Sequence, residues 1–135
     1  MDWEPLIAAA TAARANSYSP YSGFPVGAAL LMEDGSIVAG TNVENTIPTL
    51  AVCAERNAMA AAVTAGRRRP VAVAVITDTS PPSAPCGLCR QMLSEFAGGD
   101  LPILVCNLQG EREEVRLSEL LPRRFKLDWP GKKRT

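Results

Sequence analysis

Residues 71–77 (Val71-Ala72-Val73-Ala74-Val75-Ile76-Thr77) constrain the fold more than any other stretch. Val, Ile and Thr interleaved with Ala favour extended backbone, and no polar residue alternates with them to make a wet face. Such a strand must be covered on both sides. Leu101–Cys106 has the same character, and between the two runs Cys86–Ala97 has helical composition closed by Gly98-Gly99. Strand, helix, strand at this spacing predicts a parallel crossover unit inside an α/β sheet.

The rest of the chain supplies edges and cover. Val26–Met32 and Ser36–Thr41 flank Glu33-Asp34-Gly35, an acidic-Gly turn that predicts a hairpin. Residues 5–17 place Leu6, Ala9, Ala10 and Ala13 at helical spacing, with Pro5 in the first turn. Val52–Ala65 predicts a second helix, nearly all Ala, Met, Glu and Val, closed by Gly66. Glu114–Arg116 fits an edge strand, and Ser118–Leu121 starts a short terminal helix. At 135 residues one domain is expected, spanning 1–126, followed by a polar C-terminal tail at 127–135.

Charge and residue usage narrow the chemistry. Fourteen basic residues balance fourteen acidic ones, which argues against polyanion binding as the main task, and Arg67-Arg68-Arg69 reads as a solvated connector. No nucleic-acid partner is expected. There is no histidine. Ser-His-Asp and Cys-His nucleophile systems, HExxH zinc sites and His proton shuttles are therefore excluded. No stretch approaches ~20 apolar residues, so no membrane span or membrane partner is expected. Met1-Asp2-Trp3-Glu4 lacks the basic flank and apolar core of a secretory leader, which predicts a cytoplasmic protein. There, four cysteines favour metal or redox chemistry over disulfides.

Pro85-Cys86-Gly87-Leu88-Cys89 opens a helix, placing two sulfurs one turn apart where exposed N–H groups favour thiolates. Cys53-Ala54-Glu55-Arg56 opens the other long helix in the same way. Three thiolates around one Zn²⁺ would leave the fourth tetrahedral position open for water, with Glu55 near enough to carry protons. A redox dithiol is compatible with the same residues. So is a closed, non-catalytic Cys₄ zinc module completed by Cys106, although Cys106 ends an apolar run and fits a small core residue.

The pairing of Cys-Ala-Glu with a later Pro-Cys-x-x-Cys resembles the cytidine deaminase superfamily. The resemblance extends through Phe24-Pro25-Val26-Gly27-Ala28-Ala29, Asn42-Val43-Glu44-Asn45, Cys53-Ala54-Glu55-Arg56, Pro85 to Gln91, and Leu120-Leu121-Pro122 through Phe125. It covers about residues 5–126 and looks most like the short, three-cysteine, homotetrameric nucleoside deaminases. It implies a three-layer α/β/α sandwich around a mixed five-stranded sheet. It also implies hydrolytic deamination of cytidine and deoxycytidine in pyrimidine salvage, with one Zn²⁺ per subunit and active sites shared between subunits.

By the same resemblance Cys53, Cys86 and Cys89 hold the zinc, and Glu55 takes and delivers protons. Arg56 offsets the charge of the three thiolates by hydrogen-bonding the sulfurs, with Arg90 a second candidate for that role. Asn42 and Glu44 bind the ribose 3′-hydroxyl, Phe24 flanks the pyrimidine, and Ala54 is a further substrate-binding residue. Phe125 stacks on the base from a neighbouring subunit. One segment departs from the family pattern. Thr46-Ile47-Pro48-Thr49 stands where a small residue and a tyrosine-containing run are usual. This puts the contact at the ribose 5′ end in doubt and leaves a modified cytidine or a blasticidin S-like nucleoside as the alternative substrate.

Overall fold

A computed structural model of the chain describes residues 1–127. The tail expected at 127–135 therefore lies outside the described residues from 128 onward. The elements run α1 (Glu4–Arg14), β1 (Gly27–Met32), β2 (Ile37–Thr41), α2 (Ala54–Thr64), β3 (Pro70–Thr77), α3 (Gly87–Phe96), β4 (Pro102–Asn107), β5 (Arg112–Arg116) and α4 (Leu117–Leu120). Five strands form one mixed sheet in the order β2-β1-β3-β4-β5. β3 and β4 are parallel, as the crossover through α3 requires, and the other pairs are antiparallel.

The run at 71–77 lies at the centre of this sheet, and the two-sided burial it demands is met by a layer of helix on each face. On one face, Ala72, Ala74 and Ile76 pack with Leu104, Cys106, Ala29 and the α1 residues Leu6 and Ala10. On the other, Val73 and Val75 pack with Ile103, Val105, Leu30 and α2 and α3 residues including Ala58, Met59 and Leu93. The architecture is thus the three-layer α/β/α sandwich. Glycine brings the helices close to it. A Cβ on Gly27 would lie 1.9 Å from the Ala10 carbonyl oxygen, and one on Gly40 would lie 2.6 Å from that of Ala54. Both helices thus pack directly against strand backbone.

Several boundaries differ from the sequence expectation for identifiable reasons. The helix expected over 5–17 stops at Arg14, because Tyr18 leaves to pair with Val43. The helix expected from Val52 starts at Ala54, because Val52 exchanges both backbone hydrogen bonds with Val43, at 2.9 Å each, and Cys53 is extended. Proline shapes a short 3₁₀ turn over Pro48–Leu50 that the sequence reading lacked. The edge strand is two residues longer than expected, and the hairpin turn at 33–35 is tied to the 67–69 connector by Arg67 Nε donating to Asp34 at 2.8 Å. Among the described residues no helix is long and apolar enough to cross a membrane.

Candidate metal centre

Cys53 and Cys86 occupy equivalent places. Each is the extended residue just before a helix, with ψ of 157° and 168° respectively, and Cys89 lies one turn into α3. The N-terminal ends of α2 and α3 thereby present three sulfurs together, all within 4.8 Å of one another. The Cys53 and Cys86 sulfurs are 3.7 Å apart. Sulfurs ~2.3 Å from a tetrahedral zinc stand ~3.8 Å from each other, so this spacing suits the ion. No other described group of His, Cys, Asp or Glu side chains is clustered in this way.

Electrostatics favour a thiolate at Cys53. The Cys89 thiol donating to Cys53 holds Cys53 down at about 5, with Cys86 and Arg56 adding to the effect and burial opposing it. The same bond, followed by burial, pushes Cys89 up. The pair therefore shares a proton that a divalent cation would displace. Arg56 is packed beside Cys53. Its Nη2 donates to the Ala51 carbonyl at 3.1 Å, while its Nε is buried with no hydrogen-bond partner. Arg90 is committed elsewhere, to the carbonyls of Pro85 at 2.8 Å and Leu120 at 3.0 Å.

Cys106 does not join the cluster. It is buried on the α1 face of the sheet, against the Val75 carbonyl at 3.4 Å, while the sulfur cluster stands at the α2 and α3 helix ends on the opposite face. A Cys₄ centre is therefore ruled out by strand alternation: Cys106 and Val105 point to opposite sides.

Through Cys53 and Cys86, with Cys89 buried behind them, the sulfur cluster adjoins a cavity of about 420 Å³ lined by Ser22, Phe24, Val26, Asn42, Glu44, Cys53, Ala54, Glu55, Val75, Thr77, Ser83, Ala84 and Cys86. Seven of the residues singled out from sequence meet here: Phe24, Asn42, Glu44, Cys53, Ala54, Glu55 and Cys86. Glu55 is 3% exposed, and burial pushes its carboxyl up, with the negative charge of Cys53 adding to this. A carboxyl so placed holds a proton more readily than an exposed one.

Asn42 and Glu44 also organise the loop above the cavity. Asn42 Oδ1 accepts from Ser17 Oγ at 2.6 Å and Val26 N at 2.9 Å, and its amide donates to the Phe24 carbonyl at 2.8 Å. Glu44 accepts from the backbone of Tyr21 and Ser22 and from the Ser22 hydroxyl, and these bonds hold its carboxyl below the usual range. Phe125 does not line the cavity. It is 69% exposed, and its carbonyl accepts from Gln91 Nε2 at 3.1 Å.

Thr77, Ser83, Ala84, Ser22, Val26 and Val75 also line the cavity, and the sequence names none of them as a site residue. Thr77 had a signal, since ligands in α/β sheets sit at the carboxyl ends of parallel strands. Ser83 and Ala84 had a weaker one, as the residues leading into Pro85-Cys86.

A family model described as the cytidine and deoxycytidylate deaminase zinc-binding region matches residues 2–105. Among individual proteins, a cytidine deaminase of Sporosarcina psychrophila is 50% identical over 125 residues, covering 93% of this chain and 92% of that one. The crystal structure of cytidine deaminase from Burkholderia pseudomallei superposes with a TM-score of 0.88 at 44% identity, covering 93% of this chain and all of the other. A blasticidin-S deaminase of Bacillus cereus is more distant, at 29% identity over 108 residues, or 74% of this chain and 76% of that one.

Proposed function

Because the chain belongs to the cytidine and deoxycytidylate deaminase zinc-binding family, we infer that it hydrolyses the 4-amino group of cytidine and deoxycytidine, releasing ammonia and leaving uridine or deoxyuridine. The observation that carries this reading is a three-sulfur cluster that opens, through Cys53 and Cys86, on the same cavity as the buried Glu55. Cys53, Cys86 and Cys89 would hold one Zn²⁺ per chain. Bound there, zinc supplies a Lewis acid that brings a water's pKa near neutrality.

The remaining steps fall to the chain's own groups. Glu55 accepts one proton of the attacking water and delivers it to the ring nitrogen N3, then takes the proton of the hydroxyl now on C4 and passes it to the amine as the C4–N bond breaks and the C4 carbonyl forms. Its raised affinity for a proton, set first by burial, suits a residue that must hold one between steps. Arg56, with its free buried Nε, offsets the excess negative charge of three thiolates. Phe24 and Ala54 confine the pyrimidine. Asn42 and Glu44 bind the sugar, for which Asn42 keeps one amide proton and Glu44 keeps lone pairs beyond those used by the Ser22 loop.

The reading extends to a homotetramer in which Phe125 completes a neighbour's site. Its support is the exposure of Phe125 and of the apolar side chains Tyr21, Ile47, Leu50 and Leu88. It extends also to cytoplasmic pyrimidine salvage, supported by four unbonded thiols.

The test is an absorbance assay of cytidine, deoxycytidine, cytosine and blasticidin S, with and without a zinc chelator. Turnover of the two nucleosides, lost on chelation, is expected. Turnover of blasticidin S alone would transfer the assignment to that substrate.

A further inference from the structure

We propose that Thr79 is a positioning residue that turns the hydroxyls of Thr77 and Ser83 into hydrogen-bond acceptors, so that the cavity selects a 4-amino pyrimidine over its 4-oxo counterpart. The proposal rests on the deaminase reading above and adds to it a source of discrimination between substrate and product.

Thr79 Oγ1 makes three contacts: 2.9 Å to the Pro81 carbonyl, 2.7 Å to Ser83 Oγ and 3.1 Å to Thr77 Oγ1. A hydroxyl has one proton and two lone pairs. The Pro81 carbonyl can only accept, so the Thr79 proton goes there. The other two contacts are hydrogen bonds only if Ser83 and Thr77 each donate to Thr79. Both residues line the cavity. With their protons committed, each can offer a molecule in the cavity only lone pairs.

The position matters because Ser83 is three residues before Cys86, in the segment that leads into the sulfur cluster. Thr77 and Ser83 line the same cavity as Cys53, Cys86 and Glu55, so the proposal places the substituent on the reacting carbon beside this wall. An amine offers protons to lone pairs, whereas a carbonyl oxygen meets them as a second acceptor with nothing to share. The wall thus favours the 4-amino reactant and the departing amine, and disfavours the 4-oxo product.

The Thr79 geometry is held from behind. Prolines 81 and 82 carry no N–H, and among the described residues no N–H of 79–84 bonds a backbone carbonyl. Instead Asn107, 4% exposed, donates from Nδ2 to the Thr79 carbonyl at 2.8 Å and from the same group to Glu111 at 3.0 Å. Glu111 also accepts from the Ser80 hydroxyl. The loop is fastened by side chains at the end of β4 and in the turn after it, which fix where the Thr79 hydroxyl stands.

The experiment compares wild type, Thr79→Val and Thr79→Ser as zinc-loaded proteins. It measures kcat and KM for cytidine, the inhibition constant of uridine, and uridine binding by calorimetry. Val keeps the shape of Thr and removes the hydroxyl, which frees the protons of Thr77 and Ser83. It is expected to raise the cytidine KM and to leave uridine binding equal or tighter, lowering the uridine-to-cytidine ratio about tenfold, the scale of one hydrogen bond. Thr79→Ser is expected to restore the wild-type ratio. A wild-type ratio in Thr79→Val, or equal changes in Val and Ser, overturns the proposal while cytidine turnover by the wild type upholds the deaminase reading. A wild type inert toward cytidine overturns both. Should Thr79→Val fail to fold by circular dichroism, Ser83→Ala takes its place, with the same fall expected and an unchanged ratio counting against the proposal.

Discussion

Replacing Gly40 with alanine should damage both stability and activity, although Gly40 touches nothing in the cavity. A Cβ built there lies 2.5 Å from the Ala58 nitrogen, 2.6 Å from the Ala54 carbonyl oxygen and 3.0 Å from the Ala58 Cα. Ordinary contact begins near 3.4 Å, so α2 must move outward by 0.8–0.9 Å, the difference between 3.4 and the two shorter distances. The obstructing atoms are backbone, so no rotamer change relieves them. Overpacking of this kind costs about 1–3 kcal/mol. For a chain of this length that is a fall in Tm of roughly 4–10 °C. The displaced turn of α2 immediately follows Cys53 and carries Glu55, and a ~1 Å misplacement of reacting groups costs up to about a hundredfold. We expect kcat/KM for cytidine to fall about ten- to a hundredfold, with zinc affinity weakened. Thermal melts, zinc competition and steady-state kinetics measure the three effects. Gly87→Ala, with open space around its Cβ, serves as the stability control. A Gly40→Ala protein with wild-type Tm and turnover would refute the claim that α2 is seated on strand backbone at this point.

Other expectations follow from single observations. Glu55→Gln should keep zinc and lose turnover by about 10²–10⁴-fold, since the amide cannot carry a proton; near-normal kinetics would remove Glu55 from the mechanism. Cys106→Ala should retain one zinc per chain, because that sulfur lies on the opposite face of the sheet; metal loss would restore the closed-site alternative. Asp34 should titrate at about 2, held down first by the Ser36 hydroxyl, then by the Ser36 N–H and Arg67. Its folded value lies below the unfolded 3.8, so its stabilising contribution is present above about pH 4 and fades as pH falls through about 2. Carboxyl NMR should show that midpoint, moving up in Ser36→Ala; a wild-type midpoint near 3.8 would contradict the assignment. Light scattering should give a tetramer, and Phe125→Ala should raise the cytidine KM; a monomer with full activity would exclude shared sites.

What the sequence made legible, and what it hid, divides along physical lines. The central strand was readable because a charge-free run has no alternative to two-sided burial, and the hairpin because Gly35 takes φ of 88° in its turn. The sulfur cluster was readable because helix starts are marked locally, by Pro85 before one and by composition at both. The side of the sheet taken by Cys106 followed from alternation only once the strand register was known. The Thr77–Thr79–Ser83 hydroxyls and their anchor Asn107 were not legible. They are common polar residues, and Asn107 reaches Thr79 across 28 positions by a fold-dependent contact that no local pattern encodes. Phe125 was placed by resemblance, and its own chain leaves it exposed.

The account turns on an open three-sulfur metal centre beside Glu55. X-ray absorption at the zinc edge of the purified, loaded protein tests it most directly. Three sulfurs at ~2.3 Å and one lighter oxygen ligand are predicted. A shell of four sulfurs, or of fewer than three, would contradict it.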